Sequence, residues 1–270
     1  MILAFLSTYG LILLAAVLAG GSAGAVGFYT VGMRMPFLAV CTAHAALAGA
    51  ILGQLAGVPV AAGGFIGALS AGLLLLWMLR TRDEEPGGAM GTLFSLALGV
   101  AFLGMGLQPG PKTAALSLMW GNLLFVSRVQ VAMLAGATVL FAVFMAVWYA
   151  ELKVILFSRR LAAMRVAETR ILALFLAAAS LVIAVNLQTV GGLLLYGLIC
   201  NPAMAALKLA RSYRAALGLS ATFGVASALG GFFIAYWADL PVGACIVVVS
   251  CAMVGVAAAL ERILCHDVSG

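Results

Sequence analysis

The sequence predicts an all-α, polytopic transmembrane helix bundle of about nine spans, with the N-terminus outside and the C-terminus cytoplasmic. Composition is the first reason: 66% of the 270 residues are hydrophobic and 8% are charged, whereas a soluble domain carries about 25% charged residues. With a mean hydropathy of +1.23, the chain has too little polar surface to face water on all sides. Second, its apolar runs are long and continuous, without the ten-residue alternation of a membrane barrel, so helices must satisfy the backbone within lipid. Third, Lys and Arg are unevenly shared among the connections between those runs.

A helix needs about 20 apolar residues to cross a bilayer core. This places spans near 5–27, 36–56, 60–79, 89–107, 129–150, 170–187, 190–207, 215–236 and 242–260. The first opens on Met1-Ile2-Leu3-Ala4-Phe5-Leu6, which lacks the charged region of a secretory signal and reads as a retained helix. With the N-terminus outside, Arg34, Arg80, Arg82, Lys153, Arg159, Arg160, Arg165, Arg170, Lys208, Arg211, Arg214 and Arg262 fall on the cytoplasmic side. Only Lys112 and Arg128 fall outside, the bias that positive-inside insertion produces.

The external connections are short, and Pro59, Pro109, Pro111 and Pro241 mark them as turns. Segment 115–128, interrupted by Trp120, Gly121 and Asn122, reads either as a partial helix near the outer surface or as part of a long, kinked fifth span. On the inner side, Arg80 to Gly88 is a solvated, mixed-charge turn. The connection from Glu151 to Arg170 is longer, and Leu161, Met164 and Val166 can share one side of a short amphipathic helix there. Such a helix either positions its neighbours or docks a cytoplasmic partner. Gly20 and Gly24, Gly53 and Gly57, and Gly63 and Gly67 have the GxxxG spacing that lets helix backbones approach closely in lipid.

Polar residues inside the spans are few: Thr42, His44, Gln54, Asn186, Gln188, Thr189, Asn201 and some serines. No span holds an Asp or Glu near its centre, which argues against proton coupling. No nucleophile–base pair is visible, so an enzyme is not indicated. Gly106 to Thr113 looks superficially like a phosphate-binding loop, but Pro111 stands where the motif needs glycine before the lysine. If ATP drives this protein, another chain binds it. The five cysteines form no CxxC pair, so neither a disulfide framework nor a zinc cluster is signalled. No basic patch interleaved with aromatics suggests nucleic acid. His44, the one histidine inside an apolar span, is either a satisfied packing residue or a ligand. Cys41 lies three residues earlier on the same helical face, as an inert small residue or as half of a soft pair for a transition metal.

Arg34-Met35, Phe37, His44 and Gly49 resemble the second-helix signature of zinc and manganese ABC-transporter permeases. Val190 to Ala206 is similar to a second block of that family, and Tyr236-Trp237-Ala238-Asp239-Leu240-Pro241-Val242-Gly243-Ala244 to a third. The three blocks occur in the family's order and spacing over nearly the whole chain. The resemblance implies a single transmembrane permease domain, residues 1–270, paired with a second permease copy, most simply as a homodimer, in the inner membrane. A cytoplasmic ABC ATPase dimer would power it, and an extracytoplasmic metal-binding protein would deliver the ion. The segment near 156–168 occupies the place of the family's coupling helix, with Arg159, Arg160 and Arg165 as its expected contact with the ATPase. Val166 stands where the family often has glycine.

One departure matters. The family usually places an aspartate at the position of Val40, one turn before the histidine, and valine cannot coordinate. Only His44 therefore transfers as a metal ligand, with Cys41 as a speculative replacement for the missing carboxylate and Val40 and Asn201 as pathway-lining positions. The function expected is the membrane-spanning permease subunit of an ATP-driven importer for zinc, manganese or iron, working by alternating access. No stably bound cofactor is expected, the metal being cargo. A permease for another solute such as a chelated metal, or an ATP-independent carrier or channel, is the competing reading.

Overall fold

The computed structural model describes residues 2–81, 86–108, 119, 121, 123–157 and 168–266. These residues form ten α-helices and one 3-10 turn: α1 (Ile2–Gly32), α2 (Leu38–Leu55), α3 (Val60–Thr81), α4 (Pro86–Leu107), the turn Leu123–Phe125, α5 (Arg128–Val147), α6 (Tyr149–Phe157), α7 (Glu168–Val190), α8 (Gly192–Leu209), α9 (Tyr213–Ala238) and α10 (Val242–His266). Eight of the helices are long and apolar enough to cross a membrane. The span expected at 190–207 is present as α8, whose apolar part, Leu194–Leu209, is shorter.

Several boundaries differ from the sequence reading: α1 runs on to Gly32 rather than 27 and α10 to His266 rather than 260, and two further differences have a local cause. Helix α7 continues to Val190 instead of stopping near 187, because the chain changes direction at Gly191 alone. Its φ of 92° is open to glycine at little cost. The fifth span stops at Val147, where Trp148 leaves helical geometry, and α6 then carries the chain as helix through Phe157. The inner connection thus begins later than Glu151. Segment 158–167 and nearly all of 109–122 lie outside the described residues. Helix α5 starts from a reciprocal cap: the Gln130 amide donates to the Ser127 hydroxyl, and the Ser127 amide to the Gln130 side chain.

The helices pack in two groups. α1 lies against α8 and α9, with α10 packed outside the latter pair, while α2 lies between α3 and α4. Helix α7 touches α3, α5, α2 and α1 and so joins the groups. α1, α2 and α7 are the inner helices: 67%, 67% and 61% of their span windows are buried, against 22% for α5 and 28% for α10.

Small residues make these contacts possible. A side chain at Gly49 of α2 would run into the backbone of Gly63 and Gly67 in α3, and one at Gly20 or Gly24 of α1 into the α9 backbone at Gly224 or Ser220. The spacing of Gly53 and Gly57 has a different outcome. Gly53 packs on Gly63, whereas Gly57 has a φ of 75°, would place an added Cβ in open space and serves the turn between α2 and α3.

Candidate functional site

The chain enters α2 through a tight corner. Arg34 takes the left-handed conformation, with φ 60°. The Met35 amide donates to the Thr30 carbonyl and the Leu38 amide to the Met35 carbonyl. Met35 is fully buried while Arg34 is exposed, so the Arg34-Met35 pair separates a surface cation from a core anchor. Helix α2 then runs from Leu38 with both flanks covered, and His44 sits near its middle.

His44 is 7% exposed. Its Nδ1 lies 2.9 Å from the Val40 carbonyl oxygen. A carbonyl can only accept, so Nδ1 carries the hydrogen and Nε2 keeps its lone pair. The ring meets Phe94 of α4 edge-on, with centroids 4.9 Å apart and planes at 82°. Backbone and aromatic contacts therefore fix both tautomer and ring orientation, the arrangement that makes an imidazole an effective metal ligand. The valine at position 40 removes a side-chain donor, yet its carbonyl still orients the histidine.

Cys41 also faces α4. It is fully buried, and its thiol donates to the Met90 carbonyl at 2.9 Å, one helical turn before Phe94. Sequence spacing placed Cys41 and His44 on one side of the helix, and their contacts with α4 agree. To bind a metal, the Cys41 sulfur would have to give up that hydrogen bond and its proton. Beyond His44 the Gln108 side-chain Nε2 donates to the Gln54 side-chain Oε1 at 2.8 Å, tying the far ends of α2 and α4 together.

The other expected residues are distributed differently. Asn201 of α8 turns to α10, donating to the Ser250 hydroxyl at 2.9 Å and the Cys251 sulfur at 3.2 Å. Its neighbour Cys200 is the residue that reaches α2's approach, its thiol donating to the Pro36 carbonyl at 3.4 Å. The first and second sequence blocks thus meet, but through Cys200. Arg159, Arg160 and Arg165 lie outside the described residues. Among the described residues no group of three or more His, Cys, Asp or Glu gathers in a way that could hold a metal ion.

Sequence reasoning missed Phe94 and Met90, which carry no signal of their own and matter only because α4 lies over α2. It also missed an aromatic cluster at one end of the bundle. There the Tyr29 and Tyr213 hydroxyls are 2.7 Å apart, Tyr149 meets Tyr213 edge-on at 5.1 Å, and Arg214 donates to the Tyr149 hydroxyl at 3.1 Å. Among the described residues two buried polar atoms, Thr42 Oγ1 and Asn186 Oδ1, have no hydrogen-bond partner.

Comparison with known proteins agrees with this architecture. The chain is 28% identical over 241 residues to the manganese import system permease protein ScaB of Streptococcus parasanguinis, covering 88% of this chain and 85% of that one. It is 27% identical over 222 residues to the zinc transport system membrane protein TroC of Treponema pallidum, covering 78% and 74%. The fold matches that of PsaBC from Streptococcus pneumoniae, solved in complex with Fab, with a TM-score of 0.83, 23% identity and 95% of each chain covered. The model of the ABC 3 transport family matches residues 9–261, nearly the full length. The chain is a multi-pass membrane protein that belongs to the ABC 3 transport family.

Proposed function

We propose that this protein is the permease subunit of an ATP-driven importer for a divalent transition metal, with His44 as the metal-contacting residue of its pathway. Family membership over residues 9–261, together with relatives named for manganese and zinc transport, supports the transport reading. The observation that carries the site is the His44 imidazole, held at Nδ1 by the Val40 carbonyl with Nε2 left to ligate. One imidazole is too few donors to hold an ion for long, which suits cargo that must be released. The remaining coordination would come from water, from Cys41 after deprotonation, or from a second permease copy across the pathway.

In this reading the N-terminus is outside, nine spans cross the inner membrane, and the C-terminus is cytoplasmic. Twelve of the 14 Lys and Arg then lie on the inner side, which supports the orientation. ATP is hydrolysed by a separate ABC ATPase dimer seated on segment 156–168, and an extracytoplasmic metal-binding protein delivers the ion. Alternating access follows from ATP-driven closure of the ATPases transmitted through that segment.

The test is uptake of radioactive manganese and zinc by cells carrying the transporter. His44→Ala is expected to cut uptake at least tenfold while the protein still reaches the membrane, since the change removes a ligand and one ring contact. Cys41→Ser, which keeps a donor to the Met90 carbonyl, separates the cysteine's roles: a matching loss makes it a ligand, and unaltered uptake makes it a packing residue. Full uptake by His44→Ala would overturn the assignment of the pathway.

A further inference from the structure

Where α6 stops and α8 gives way to α9, an open groove of about 760 Å³ lies between these helices. Phe28 of α1 is at its base, and Val154, Leu156, Phe157 and Leu207 provide apolar walls. Lys153 and Arg211 also line it, and among the described residues no Asp or Glu does.

These two cations differ from their neighbours. The Lys208 ammonium is 2.8 Å from the Glu261 carboxylate. Arg214 donates to the Tyr149 hydroxyl at 3.1 Å and lies over its ring. Among the described residues Lys153 and Arg211 have no such partner. Glu151 is two positions from Lys153 on α6, which puts it on another face of the helix. Beside the unpaired charges, Phe157 is 86% exposed. An apolar surface and two uncompensated cations thus share one groove.

We infer that this groove binds an anionic phospholipid, its phosphate against Lys153 and Arg211 and an acyl chain along the apolar wall. Charge complementarity selects the anionic headgroup: among the described residues nothing acidic in the groove would receive the ammonium of a zwitterionic one. The walls select a lipid over a soluble anion, because inorganic phosphate would leave Phe157 and Leu207 uncovered. Position fits as well. The apolar part of α8 ends at Leu209 and that of α9 begins at Tyr213, so the groove is at the boundary of the hydrocarbon layer, where basic pockets between helices meet headgroups. The inference rests on the chain spanning a membrane and is independent of which solute it carries.

The test is native mass spectrometry of the full chain, extracted in mild detergent and offered equal amounts of phosphatidylglycerol and phosphatidylcholine with identical acyl chains. One phosphatidylglycerol is expected to be retained in preference. Lys153→Gln with Arg211→Gln should lower that preference roughly thirtyfold, the effect of removing two basic residues at a membrane surface. Lys153→Arg with Arg211→Lys should keep it, as should Arg262→Gln, which removes an exposed cation on α10. Equal retention of the two lipids by the unaltered protein overturns the proposal and means that another part of the chain or a partner protein covers the groove. Unchanged preference in the double glutamine variant overturns it too. Displacement of the lipid by inorganic phosphate makes the groove a soluble-anion site and also overturns it.

Discussion

Asp239 ends α9 with φ 53° and ψ 45°, and the Leu240 amide beyond it donates back to the Ala235 carbonyl. Left-handed geometry costs most residues about 1–2 kcal/mol, Asp and Asn less, and Gly almost nothing. A carboxylate also sits poorly at the negative end of a helix. Asp239→Gly should therefore raise the thermal unfolding midpoint of the purified protein or leave it unchanged, whereas Asp239→Val should lower it. The sequence placed Asp239 in a matched block without saying what it does, because a single residue's φ is not visible in composition or spacing. His44 shows the same limit from the other side. Its isolation in an apolar run was visible, but the Val40 carbonyl that orients it and the Phe94 ring that packs on it depend on how α2 folds and what covers it.

At the scale of the helix, the contact between α2 and α3 is backbone against backbone. A methyl group at Gly49 would meet main-chain atoms of Gly63 and Gly67, which cannot rotate away. Gly49→Ala is expected to cost roughly 1–3 kcal/mol, the range for overpacking a filled site. The same change at Gly99 of α4, where nothing lies within 4 Å, should leave the midpoint unaffected. A thermal scan of both variants checks this. Helix positions were legible because an apolar run of bilayer length has few other solutions. The ends were less so: Trp148 breaks α5 from α6 with no proline or glycine to announce it, and Gly191 turned out to be the whole connection between α7 and α8. The GxxxG spacings at Gly20 and Gly63 found true seams, while Gly57 shares the spacing only because a turn glycine happens to lie four residues after a packing one.

For the whole molecule, family and fold class were legible because three separated blocks kept their order, a relation that chance rarely reproduces. Their spatial relation was not. The approach to α2 and helix α8 meet through Cys200 and Pro36, while the block at Tyr236 belongs to the α9–α10 turn. The proposed coupling role of segment 156–168 would be exercised only in an assembled transporter. Replacing Arg159, Arg160 and Arg165 together with alanine should reduce co-purification of the ATPase severalfold while leaving the permease's own thermal midpoint in place. Undiminished co-purification would count against the proposed coupling segment.

The glycine seam between α2 and α3 also bears on how the proposed pathway would move. Glycine and alanine have no rotamers to rearrange, so the two helices cannot slide past each other by small side-chain adjustments. In the proposed transport cycle they would move as a stiff plate, with His44 as a fixed point on it. Compliance must then reside at the plate's edges: the left-handed corner at Arg34, which leads into α2, and the polar Gln54–Gln108 tie to α4. A polar tie can break and re-form at modest cost. A cysteine crosslink between α2 and α3 would thus leave transport running, whereas one replacing the Gln54–Gln108 contact would arrest it.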